Sequence, residues 1–332
     1  MLPLRLLACV AALATAPAFA APDVAKAAEP VALTFDWGDS FRARVESTRT
    51  RERVPAEPGN LAPDTKTSYL LDARRQADGS YVVKSLDPQL GVTASDAASL
   101  PTLDARSLEA LTALEATLLI SPDGDFTGIE GYEALRAWAE QFIVNSSPSI
   151  TDPAQREKMR AFLDQALSPE AVAMYSRQIW NAAIGAWTGA TLEFGESLEL
   201  RQPQRLPMFG NASAAMVTTF TAVERLPCPV EPAAKARECV RLRMTTSYDP
   251  AEMAQIITAL IQRLAPADKP VPDGALTNLS IDSTIDVITE PGSLKPHHLL
   301  IRKVSAVTVQ EGGQPKSVTQ TETREVRYIH LD

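Results

Sequence analysis

The sequence predicts an α+β fold: one or two large, curved antiparallel β-sheets, an inserted three-helix segment, and a fourth helix packed on the sheet. Three observations carry this expectation. Residues 31–54 alternate apolar and polar side chains, the period of a half-buried strand. From Tyr132 the apolar spacing changes to three and four, the period of a helix. From Thr191 the alternation returns and, with one helical interruption, continues to His330.

In the first β-rich stretch, Leu33, Phe35 and Trp37 share one phase. Phe41, Ala43 and Val45 continue it against Arg42, Arg44 and Glu46, with a bulge or bend expected at Gly38-Asp39. Pro55, Pro58, Gly59 and Pro63 mark a loop. Residues 67–73 and 81–86 read as strands joined through a turn containing Asp78-Gly79. Residues 114–121 form another, ending in the turn Pro122-Asp123-Gly124-Asp125.

The helical block follows. Tyr132, Leu135, Trp138, Ala139, Phe142 and Ile143 recur at helical spacing. Thr151-Asp152-Pro153 supplies a cap with Pro at the first helical position, leading into Met159, Phe162, Leu163 and Ala166. Ser168-Pro169-Glu170 repeats the device and opens a third helix with Val172, Tyr175, Ile179, Ala183 and Trp187. These stripes read as core.

Beyond Thr191, Leu192, Phe194, Leu198 and Leu200 resume the alternation, and strands follow at 214–224 and 240–248. Asp249-Pro250 caps the fourth helix, with Met253, Ile256, Ile257, Leu260, Ile261 and Leu264 on one face. After a Pro-rich loop at 266–272, strands are expected at 276–289, 299–310 and 317–330, in meander order. The implied plan is a signal peptide at 1–20, a flexible N-terminus at 21–30, a β-rich half at 31–130, a helical insertion at 131–188 and a β-rich half at 189–332. The halves either merge into one domain, as a single sheet or two, or stand apart.

Residues 1–20 have the plan of a secretory leader. Arg5 lies in a short basic start, residues 6–16 are uncharged, and Ala18-Phe19-Ala20 places small residues at a cleavage site. The competing lipobox, Leu6-Leu7-Ala8-Cys9, would leave too few residues ahead of Cys9 for insertion. Export to the periplasm is the expectation, ahead of secretion or a lipid anchor, and no later stretch approaches the length of a membrane span. Removal of the leader leaves Cys228 and Cys239, an even count that predicts a disulfide closing a polar, Pro-bearing loop between two strands.

Apolar content of 45% with 22% charged residues describes a folded chain. A net charge of −9 disfavours nucleic acid and anionic lipid surfaces. Arg42, Arg44, Arg49, Arg51 and Arg53 cluster locally and read as a solvated strand face and loop.

No motif delivers a catalytic, metal or cofactor site. Gly38-Asp39-Ser40 and Gly195-Glu196-Ser197 resemble a serine-esterase stretch, but a nucleophilic serine needs a base and a group to orient it. The histidines His297, His298 and His330 lack the aspartate three residues before them that such esterases use. Neighbouring residues on a strand point to opposite faces, so His297 and His298 do not share an ion. Asp123-Gly124-Asp125 lacks the remaining ligands of a calcium loop.

An internal echo runs through the two halves. Residues 37–44 and 194–201 both read aromatic-Gly-acid-Ser-apolar-x-apolar-Arg, consistent with a repeated strand that bends at glycine. This motif resembles the opening of exported bacterial proteins of unknown function. At fold level the layout is similar to the half-barrel of periplasmic lipoprotein carriers. That resemblance implies an antiparallel sheet whose apolar face packs on helices, and it transfers no functional residue. The expected function is a non-enzymatic envelope protein that binds an apolar ligand or lipid. The alternatives are a structural or protein-interaction module of the envelope and, third, a hydrolase.

Overall fold

Strand formation follows the two-residue period through most of the chain. The structure, a computed structural model, describes residues 29–55, 64–92, 117–133, 157, 160–161, 164–165, 168–206, 212–229, 237–264, 276–311 and 314–331. Its first strands are β1 (Val31–Ala32), β2 (Ser40–Val54), β3 (Thr65–Arg75), β4 (Tyr81–Val92), β5 (Thr117–Ile120) and β6 (Phe126–Glu130). Later come β7 (Thr191–Leu192), β8 (Ser197–Leu206), β9 (Ala212–Pro227) and β10 (Glu238–Tyr248), then β11 (Leu276–Thr289), β12 (Pro296–Glu311) and β13 (Gln314–His330). Helix α1 (Pro169–Trp180) runs on into a π-helical turn, Asn181–Gly185, and α2 is Pro250–Leu264.

Eleven strands form one antiparallel sheet in the order β6-β5-β4-β3-β2-β13-β12-β11-β10-β9-β8. Each half of the chain folds as a meander, and β2 pairs with β13 to join them, in register from Ala43 opposite His330 to Val54 opposite Thr319. The sheet therefore runs through both halves. β1 and β7 form a separate two-stranded sheet.

One face of the large sheet carries the core. On β2, Phe41, Ala43, Val45 and Ser47 are buried while Arg42, Arg44 and Glu46 point outward. The row continues across the ladders through Tyr328, Val326, Leu299, Val287 and Leu242. Leu279 and Ile281 share the phase of Ile285 and Val287 on β11, so α2 covers the same face further along the strands. Asp249 caps α2, its Oδ1 accepting from the amides of Ala251 and Glu252 at 3.0 and 2.9 Å.

The expected α+β fold, with three inserted helices and a fourth on the sheet, is corrected to a predominantly antiparallel β architecture. Strands take 62% of the described residues, and two short helices have defined bounds, the longer run being the 17 residues of α1 with its π turn. The first two expected helices fall mostly outside the described residues. The physical reason is the length of the ladders: β9, β12 and β13 run 16, 16 and 17 residues, so paired strands make the core and helices cover it. Within α1, Ala171, Val172 and Trp180 are buried, whereas Ile179, expected on the packed stripe, is 57% exposed. Trp187 is buried beyond the π turn instead. On α2, Met253, Ile256 and Ile257 pack and Ile261 is exposed.

Leu198 and Leu200 also depart from the simple reading of alternation. They lie opposite Phe220 and Thr218, on the core side, yet are exposed because β8 is an edge strand with one neighbour. Strand β6 carries too short an alternation, broken by Gly128, to be legible in advance. The internal echo has a structural counterpart. Gly38 and Gly195 both take positive φ (64° and 81°), Ser40 and Ser197 open β2 and β8, and the preceding strands β1 and β7 pair with each other.

Cys228 and Cys239 form a disulfide across the β9–β10 turn, beside a Cys228 N–H to Arg237 carbonyl hydrogen bond of 2.9 Å. Closing a loop of this size restricts the unfolded chain by about 3 kcal/mol. The double replacement of Cys228 and Cys239 by Ser is expected to lower unfolding free energy by about that amount in denaturant titration. Gly124, in the β5–β6 turn at φ 87°, has no room for a side chain, since a Cβ would stand 2.7 Å from Phe35 Cγ. Gly124→Ala is expected to destabilise the fold by roughly 2–4 kcal/mol in the same assay, from left-handed strain plus overpacking.

Candidate functional site

The site grows from the way α1 is fixed to the sheet. Ser168 caps the helix, its Oγ accepting from Ala171 N–H at 3.2 Å, and Pro169 occupies the first turn. At the other end Trp180 Nε1 donates to the Gly124 carbonyl at 2.8 Å, and its ring meets Trp37 at 5.5 Å and Phe35 at 6.0 Å. Arg177 stands 5.5 Å from the Phe126 ring, adding a cation–π contact. Trp37 in turn packs on Phe41 at 4.7 Å. This aromatic cluster seats the C-terminal end of α1 on the sheet.

Along the rest of α1 the helix and sheet do not meet tightly. A pocket of about 240 Å³ lies between them, above the join of the two meanders. The sheet contributes Tyr69 and Leu71 from β3, Val83 from β4 and Tyr328 from β13. From above come Val172, Trp180, Ala183 and Ile184, with Ile179 at the rim. The polar members are few: Ser85, Ser176 and Arg324. A mostly apolar cleft with a few convergent polar groups is the usual form of a small-molecule site. The π turn beside it is a distortion often found at such sites. A larger hollow of about 480 Å³ on the opposite face is lined by Asp72, Arg74, Lys84 and Glu130 and has a charged character.

The arginine cluster divides between the two faces. Arg42 and Arg44 point outward, where Arg42 reaches the buried Asp72 at 3.4 Å. Arg49 and Arg51 lie on the core side, where both reach Glu322, at 2.6 and 2.9 Å. Burial pushes the Glu322 carboxyl up, and the two guanidiniums outweigh it, holding the group below its ordinary value. The expectation of a solvated strand face describes the first pair alone. Extending the Phe41-Ala43-Val45 phase by two residues at a time would have found the second.

A second polar cluster joins the β11–β12 turn to the end of β13. Glu290, His297 and His330 bring ligand-type atoms within 4.8 Å of one another. The Glu290 carboxylate accepts from Arg237 at 2.8 Å, Ser293 at 2.8 Å and His297 Nε2 at 3.3 Å. His330 Nε2 donates to the Pro296 carbonyl at 2.9 Å, and its ring lies 4.2 Å from that of His297. A guanidinium already on the carboxylate opposes a metal cation there, so the cluster serves as a structural network. Burial raises the Glu290 pKa, but the hydrogen bonds from His297 and Ser293 and the Arg237 charge prevail, leaving it at about 2.

The other sequence candidates lie apart from the pocket. Ser40 is exposed at the start of β2, and the Ser197 hydroxyl shares a 2.8 Å hydrogen bond with that of Thr221. His298 turns to the opposite side from His297 and faces Glu325 at 3.2 Å. Asp123-Gly124-Asp125 forms the β5–β6 turn, where Ser121 Oγ accepts from Asp125 N–H at 3.0 Å. Cys228 and Cys239 approach His297, but their sulfurs are bonded to each other and offer no thiolate. Nothing in the local sequence marks Tyr69, Arg324 and Tyr328, because only cross-strand register brings β3 and β13 to the two sides of β2.

No family model matches the chain. No curated protein matches it either. Among solved structures, one of lipovitellin, concerned with its lipid–protein interactions, aligns with a TM-score of 0.39 at 10% identity. That alignment covers 89% of this chain and 25% of the other, so this chain spans about a quarter of that protein's length. A likeness this slight establishes neither fold nor ligand, and the site stands on its own geometry. Among the described residues no helix is long and apolar enough to cross a membrane.

The depressed Glu290 pKa makes a pH-dependent contribution to stability. The folded carboxyl titrates below the ordinary 4.5, so its contribution is complete above that value and is lost as pH falls from about 4.5 towards 2. Glu290→Gln is expected to flatten the acid limb of a stability–pH curve in this window, leaving the remaining slope to Glu322 and Glu325, which are also lowered. An unchanged slope would show that the network does not couple to folding.

Proposed function

We propose that this is an exported, non-enzymatic protein that binds an apolar ligand between α1 and the sheet. The observation that carries the reading is the pocket of about 240 Å³ whose walls are largely aliphatic and aromatic. It is larger than the roughly 150 Å³ apolar cavity that accepts benzene. It is smaller than the roughly 300–1,000 Å³ clefts that take drug-sized ligands. The scale suits one alkyl segment or a single ring. Apolar transfer at about 25 cal/mol per Å² would drive the binding.

The proposed location is supported by the leader-like residues 1–20, which lie outside the described residues, and by the Cys228–Cys239 disulfide. Disulfides persist in oxidising compartments, and the periplasm is the one proposed. The net charge of −9 directs the protein away from nucleic acid.

Native mass spectrometry of protein purified without detergent is expected to show a co-purifying apolar species released on denaturation. Filling the pocket with Ala183→Phe is expected to reduce its occupancy at least tenfold. A ligand-free wild type that also binds no added alkyl probe would overturn the reading.

A further inference from the structure

The pocket wall is largely apolar, and Arg324 is the one charged side chain among the described residues that line it. Arg324 lies on the core face of β13, opposite Arg49 on β2. Its Nε donates to Ser47 Oγ at 3.0 Å, which holds the guanidinium across the join of the two meanders. Arg49 and Arg51 are neutralised by Glu322, and the Asp64 carboxylate accepts from the Arg51 backbone. Among the described residues no carboxylate forms an ion pair with Arg324. A guanidinium can only donate.

An apolar ligand without a polar end would leave the Arg324 charge without a counter-charge. A ligand with an acceptor-rich anionic end supplies that counter-charge, and Arg is well shaped for a carboxylate. We propose that the pocket takes a single-chain anionic amphiphile, a carboxylate with its alkyl chain beneath α1 and its head on Arg324. This rests on the apolar-binding reading above and names the ligand class for the same site. The volume accommodates part of one chain, which disfavours multi-chain lipids.

The test compares three probes of equal chain length, decanoate, decanol and decyltrimethylammonium, each below its aggregation concentration, titrated calorimetrically into the full chain. Decanoate is expected to bind roughly ten- to a hundredfold more tightly than decanol, the scale of one charge-assisted hydrogen-bonded pair. Decyltrimethylammonium is expected to bind most weakly. Arg324→Gln should erase most of the advantage of decanoate over decanol. Equal affinity of the three probes for the wild type would overturn this inference while leaving the apolar pocket standing. No binding by any of them would overturn both. The ranking of the probes is read on the wild type, so it holds whether or not Arg324→Gln folds.

Discussion

The pairing of β2 with β13 is the constraint on which the rest of the molecule depends. Each meander pairs its own consecutive strands, but a meander alone leaves a long edge of unpaired amides and carbonyls. Joining β2 to β13 removes both of those edges at once and makes one eleven-stranded sheet. It also sets chemistry by register. Tyr328 falls opposite Val45, Val326 opposite Ser47 and Arg324 opposite Arg49, so the first and last strands of the large sheet build one surface.

A sheet of this size has an apolar face that must be covered, and two helices among the described residues do so in different ways. Helix α2 packs Met253, Ile256 and Ile257 onto Leu279 and Ala214 as a simple lid. Helix α1 is held mainly at its C-terminal end, by the Trp180 bond to Gly124 and the cluster of Trp37, Phe35 and Phe41. Its remaining length stands off the strands, and the pocket is the space left. The closest packing in this region and the emptiest volume are thus neighbours, because the same aromatic side chains that seat the helix also hold it away.

Charge on the core face changes along the strands. The apolar row through Val45 and Tyr328 gives way to Ser47, then to Arg49, Arg51, Arg324 and Glu322. A single carboxylate shared by two guanidiniums leaves the third to face the pocket, which gives an otherwise greasy cleft a polarity. At the far end of the same strands, Glu290 with His297 and Arg237 anchors the β11–β12 turn beside the disulfide.

The sequence by itself determined where most of the described strands run, where the two described helices begin and which cysteines pair. Alternation around Phe41, the caps at Ser168 and Asp249, and the even count of cysteines beyond residue 20 are local or compositional properties, fixed by backbone geometry and side-chain type. The tertiary structure alone decided how many helices serve the sheet, that both meanders share it, and that Leu198 and Leu200 lie at an uncovered edge. It also decided that Tyr69, Arg324 and Tyr328 surround one cavity. Those outcomes depend on which strands pair and in what register, and residues from opposite ends of the chain meet only through contacts that no local spacing encodes.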